Sequence, residues 1–200
     1  EDKEAKERLL KELEKILKKV EEKEREYKER MSRGIDGSLV VSASGYAWPL
    51  TSSSTLTACF GADSIHKSGH GALDIAAPDH TPVYASKEGT VVYSNYPGSM
   101  ASYSKNITDD GQCSSNGGCG NYIRIDHGDG IVTQYCHLYT NSITVKTGDT
   151  VSQGQHIGDV GSSGCSTGSH LHFATYYNGT KFNPLQIVDP ANVTNPGRCN

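Results

Sequence analysis

No stretch of this 200-residue chain approaches the roughly 18 consecutive apolar residues that a membrane-crossing helix requires. A helical span is therefore excluded within it. The chain also lacks the paired CxxC motifs of a structural zinc site and the HExxH helix of the helical metalloproteases. It has no basic surplus either: the net charge is −4, which argues against a nucleic-acid partner. The apolar core of a signal peptide is missing after Glu1, as expected of a piece whose targeting segment lies elsewhere.

What charge there is lies unevenly. Residues 1–33 hold 12 Lys/Arg and 11 Asp/Glu, leaving 7 basic and 12 acidic residues for the other 167. In that first stretch Leu9, Leu13, Ile16, Leu17 and Val20 recur at three- and four-residue steps, and Tyr27 and Met31 continue the stripe beyond Lys23 and Glu24. This spacing predicts one amphipathic helix over 1–34. Three heptads with charge in the middle make a short seam, suited to the end of a longer coiled coil or to a spacer. Self-association or a partner protein held through this helix is the corresponding expectation.

Residues 35–45 read as a linker, 46–190 as a β domain and 191–200 as a tail. Alternating segments predict strands at Thr90–Tyr93, Tyr122–Asp126, Val132–His137, Ser142–Val145 and Leu171–Tyr177. The Ser/Asn/Gly-rich stretch 96–120 is too long for a hairpin loop and reads as an insertion. Three Asn-x-Thr matches, at Asn106, Asn178 and Asn192, are expected by chance in a chain this rich in Asn and Thr. All six cysteines (59, 113, 119, 136, 165 and 199) fall in the β domain. Their even number predicts disulfides, and with them an oxidising extracellular or cell-envelope location. Six cysteines allow fifteen pairings, and Cys113 and Cys119 bracket a loop short enough to close locally.

The histidines carry the chemistry. A zinc enzyme needs three nitrogen or oxygen ligands converging on one point, a fourth position left open, and groups nearby that move protons. His70 and Asp74 lie four apart in HGALDIAAP. His170 and His172 alternate around Leu171 in GSHLHF, so on a strand both face one side while Leu171 and Phe173 face the other. His137 ends the strand QYCHLY. Together these five suit a site assembled across a sheet. His66, His80, His127 and His156 sit in turn-like or strand-end settings and are expected at the surface.

Four blocks, HGALDIAAPDHTPVYASKEGTVVY, GNYIRIDHGDGIVTQYCHL, GDTVSQGQHIGDVGSSG and STGSHLHF, resemble the lysostaphin-type zinc endopeptidases of bacterial cell walls. These are the M23 or LytM-like peptidases. The resemblance covers roughly Tyr46 to Val188 in the family's order. It implies a mostly β, antiparallel, β-sandwich-like groove fold with one N-terminal α-helix, and one Zn2+ per chain at the groove floor. Carried over residue by residue, it assigns His70, Asp74 and His172 as metal ligands and His137 and His170 as the catalytic pair. The substrate implied is the peptide part of peptidoglycan.

Asn121 matches a position the family often fills with Asn, which makes it a possible substrate contact, a residue that orients the groove, or simply a turn cap. Some relatives carry a Tyr shortly before the first ligand, where this chain has only Phe60. A disulfide between Cys136 and Cys165 would fix two walls of the groove. Two other readings remain: a non-catalytic peptidoglycan-binding module that activates another hydrolase, and a carrier domain of lipoyl type suggested by GDTVSQGQHIGDV. The presence of all five residues weighs against the first, and the lack of a Lys at an exposed hairpin tip against the second.

Overall fold

The computed structural model describes residues 6–19, 21–22, 39–61, 69–99 and 118–199. The chain divides into two compact units, Glu1–Gly37 and Ser38–Asn200. In the first, residues 6–19 and 21–22 are helical, and Leu9, Leu10, Leu13, Ile16 and Leu17 are all exposed. The rest of the expected stripe, Val20, Tyr27 and Met31, lies outside the described residues.

Among the described residues the second unit contains ten strands: β1 (Thr55–Ala58), β2 (Leu73–Ala76), β3 (Pro82–Tyr84), β4 (Gly89–Ser94), β5 (Ile123–Asp126), β6 (Ile131–Cys136), β7 (Thr150–Val151), β8 (His156–Asp159), β9 (His170–Tyr177) and β10 (Thr180–Phe182). Every pairing among them is antiparallel. The main sheet runs β1-β2-β9-β6-β5-β4-β7, while β3 and β8 form a separate pair. The mostly β architecture with an N-terminal helix is the one the sequence implies.

β9 is the spine of the sheet. Along one edge it pairs with β6 over its length, and its other edge is shared by β2 near His170–Phe173 and β10 near Thr175–Tyr177. The period of two sorts its side chains. Leu171 and Phe173 are fully buried, together with Leu73 and Ile75 of β2, Tyr135 of β6 and Ile123 and Ile125 of β5. Trp48 and Leu50, with Val83 of β3 and Ile157 of β8, complete this core. His170 and His172 therefore belong to the opposite face, as the sequence predicts. Burial of an aromatic such as Phe173 contributes roughly 1.5–3 kcal/mol and fixes which face is which.

Three expectations are corrected. Ser142–Val145 is not a strand: Ile143 and Val145 are buried at alternate positions, but the Ile143 and Thr144 N–H groups donate singly to the Pro97 and Ile157 carbonyls rather than into a ladder. Cys136 is bonded to Cys119, which overturns both the Cys136–Cys165 pairing and the local Cys113–Cys119 closure. Cys165 is also disulfide-bonded, and Cys113 lies outside the described residues. Cys199 is bonded to Cys59 across 140 residues, and Val193 forms a bridge with Ser54. A cross-link closing so long a loop removes of the order of 4–5 kcal/mol of unfolded-state freedom.

Of the histidines expected at the surface, His80 and His156 are exposed, and His66 lies outside the described residues. His127 is half-buried instead. Its Nδ1–H donates to the Glu88 carbonyl at 2.8 Å, and Nε2 lies 2.9 Å from the Thr133 hydroxyl. Burial lowers its pKa, only partly offset by the Glu88 carbonyl and Asp129. A folded-state pKa below the unfolded value of about 6.5 means stability is intact above that pH and declines as pH falls through it. Urea unfolding is therefore expected to give a lower midpoint at pH 5 than at pH 7.5, with a smaller loss in His127→Gln. Equal losses in the two proteins would contradict this.

Candidate metal centre and active site

The register of β2 against β9 sets Asp74 directly opposite His172. His70 precedes β2 and reaches the same point from a backbone bridge with Gly61. Three donor atoms converge there. His172 Nδ1 lies 2.8 Å and His70 Nε2 3.1 Å from Asp74 Oδ1, and the two nitrogens are 3.2 Å apart. Tetrahedral zinc with ligand bonds near 2.0–2.1 Å requires donor separations of about 3.3 Å, so this triangle fits it to within a few tenths of an ångström.

The proton inventory points the same way. His70 Nδ1 lies 3.1 Å from the Cys59 carbonyl, which commits that ring's proton to Nδ1 and leaves a lone pair on Nε2. Two ring nitrogens and a carboxylate oxygen this close together form a group able to hold a metal ion. Burial resists ionisation of Asp74, but the His172 and His70 rings beside it outweigh that and hold the carboxyl far below its usual range. His172 is pushed down by burial, against the pull of Asp74. Both effects favour the ligand forms: carboxylate anion and neutral imidazole.

His170 and His137 stand beside this triangle. His170 Nε2 is 3.7 Å from Asp74 Oδ1, and its Nδ1 is held 2.8 Å from the Gly168 carbonyl. The His137 ring centroid lies 4.6 Å from that of His170 and 5.6 Å from that of His172. Its Nδ1 is 2.7 Å from the Ser163 carbonyl, so Nδ1 carries the proton and Nε2 is an acceptor. Burial first, then the neighbouring His170 and His172, hold its pKa down to about 3. His137 is thus a neutral base across the physiological range. All five residues singled out in the sequence meet at one place.

The backbone that presents His137 is strained. Its φ of 63° lies in the left-handed region, which costs a non-glycine residue about 1–3 kcal/mol. Its own N–H donates to the Cys119 carbonyl at 2.8 Å, and the next N–H, of Leu138, donates to the Asn121 carbonyl at 2.9 Å. The Cys119–Cys136 disulfide joins the same two segments. Asn121 is fully buried, with its side chain reaching the Leu138 carbonyl at 3.1 Å and Asn95 at 3.2 Å. Its side chain thereby ties together the segments that carry Asn95 and Leu138.

A family model described as Peptidase family M23 matches residues 68–184, more than half of the chain. The chain belongs to peptidase family M23. This M23 chain is 36% identical over 121 residues to the peptidoglycan DD-endopeptidase ShyC of Vibrio cholerae, covering 60% of the chain and 23% of that protein. It is 35% identical over the same length to the DD-carboxypeptidase/endopeptidase Mpg of Neisseria meningitidis, with the same coverages. The chain thus spans less than a quarter of the length of these relatives. Among solved structures, the catalytic domain of the antimicrobial peptidase lysostaphin from Staphylococcus simulans is 28% identical with a TM-score of 0.50, over 66% of this chain and 90% of that one.

Some residues of this M23 site carry no chemical signal in the sequence. Ser163 acts through its carbonyl, which any residue supplies. Gly120 and Gly161 act by having no side chain. A Cβ on Gly120, whose φ is +64°, would fall 2.5 Å from the Ser163 carbonyl oxygen, and one on Gly161 would fall 2.6 Å from Tyr139 Cα. Gly120→Ala must therefore push aside the group that fixes the His137 proton. Nitrogen-15 NMR is expected to find His137 as the Nδ1–H tautomer in the parent protein and as a tautomer mixture in Gly120→Ala. Unchanged ring shifts would contradict that role for Gly120.

Proposed function

We propose that this chain is a zinc-dependent endopeptidase that hydrolyses peptide cross-links or stem peptides of bacterial peptidoglycan. The reading rests on one observation: His70, Asp74 and His172 form a donor triangle of zinc dimensions with two further histidines beside it. The activities for which ShyC and Mpg are named support the choice of substrate. The disulfides and those relatives favour an extracellular or envelope location.

In this mechanism His70 Nε2, Asp74 Oδ1 and His172 Nδ1 would hold the zinc. When bound, zinc supplies Lewis acidity that polarises a carbonyl and eases deprotonation of water. His137, neutral and with Nε2 free to accept, and His170, anchored at Nδ1, handle the protons. Water adds to the scissile carbonyl carbon, the C–N bond breaks, and the proton taken from water ends on the departing amine. The carbonyls of Cys59, Ser163 and Gly168 keep the imidazoles in their working tautomers throughout.

Purified peptidoglycans of several cross-link types, incubated with the zinc-loaded protein, are expected to release defined muropeptides identifiable by mass spectrometry. Chelation is expected to abolish release and His137→Ala to reduce it at least 100-fold, the scale typical of losing a positioned acid or base. Undiminished release by His137→Ala, or none by the zinc-loaded parent, would overturn the proposal.

A further inference from the structure

The face of the sheet that carries the metal ligands does not end at them. Along β9 the period of two puts His172, Ala174 and Tyr176 on that face, and the register carries it across to Gln134 of β6 and Arg124 of β5. On the other side of β9, Lys181 of β10 lies opposite Tyr176. The Arg124 guanidinium carbon sits 5.0 Å, and the Lys181 ammonium 5.8 Å, from the Tyr176 ring centroid. Lys181 also lies against Gly71, the neighbour of His70, since a Cβ there would fall 2.9 Å from its Nζ. Two of the seven cations in residues 34–200 of an acidic body thus flank Tyr176, on the face that carries the ligands.

Neither cation has an ion-pair partner among the described residues. Arg124 is nevertheless held in place. Its Nε–H donates to Gln134 Oε1, and Nη2 donates to the Tyr176 hydroxyl at 3.3 Å. Gln134 is buried, and its Nε2 lies 2.8 and 2.9 Å from the two sulfurs of the Cys119–Cys136 disulfide. Of the five guanidinium N–H groups, three are left without a partner among the described residues. A rigid fork with free donors, and an ammonium nearby, suit a carboxylate.

We propose that Arg124 and Lys181, set around Tyr176, form a specificity subsite that binds a free carboxylate of the stem peptide. This rests on the peptidase reading above and adds what selects the substrate. Tyr176 lies four residue steps along β9 from His172, about 13 Å, so the carboxylate lies three or four residues of extended peptide from the scissile bond.

The test uses a synthetic cross-linked stem peptide in two forms, with its side carboxylates free or converted to amides. Affinity is read by calorimetry, and cleavage separately as kcat and KM. The protein is expected to bind the free acid about tenfold more tightly, the difference appearing in KM rather than kcat. Arg124→Gln and Lys181→Gln are expected to bring the affinities for the two forms within about twofold of each other. Arg124→Lys, which keeps the charge but loses the fork, is expected to restore only part of the preference. Lys181 is exposed, so its substitution leaves the fold intact. Equal affinity of the parent protein for the two forms, or a preference that survives both Gln substitutions, overturns the subsite. Discrimination in binding without cleavage supports the subsite and overturns the peptidase reading alone.

Discussion

A slip of one residue between β2 and β9 would turn Asp74 into the core and Leu73 into the groove. Everything at the site depends on that register. In the observed pairing Leu73 faces Phe173 in the interior while Asp74 faces His172 outside it. The apolar contacts on one side thus determine where an anion meets an imidazole on the other. A carboxylate in this half-covered position is costly unless it is compensated. Here two ring nitrogens supply the compensation, and the same three atoms make the metal triangle.

The rest of the site is built outward from β9 by backbone carbonyls and cross-links rather than by further charges. Cys59, Ser163 and Gly168 each offer a carbonyl to one imidazole, and each carbonyl decides which nitrogen keeps its proton. The Cys119–Cys136 disulfide ties the loop before β5 to the end of β6, where His137 adopts its left-handed backbone. The Cys59–Cys199 disulfide anchors the segment whose carbonyl supports His70. Rigidity is concentrated where a small displacement would change a tautomer.

The sheet and the five site residues were legible in the sequence because they follow local rules. His170 and His172 share a face because a strand alternates, and Leu171 and Phe173 mark the face they avoid. The division of roles among the histidines came only from the family resemblance. What stayed hidden depends on tertiary neighbours. Cysteine spacing is blind to the turn that lays Cys119 beside Cys136. The alternation in Ser142–Val145 reported burial correctly but not the absence of a pairing strand. The contacts of Asn121 with Asn95 and Leu138, and of His127 with Glu88 and Thr133, join separate segments. Arg124, Tyr176 and Lys181 were ordinary strand residues until the registers of three strands brought them to one place.

The central claim is that one zinc sits on His70, Asp74 and His172. Anomalous diffraction at the zinc edge from crystals of the zinc-loaded protein tests it most directly. The account predicts a single peak within bonding distance of His70 Nε2, Asp74 Oδ1 and His172 Nδ1, with His137 and His170 unligated. A peak on His137 or His170 in place of one of these ligands, or no peak at the triangle, would contradict it.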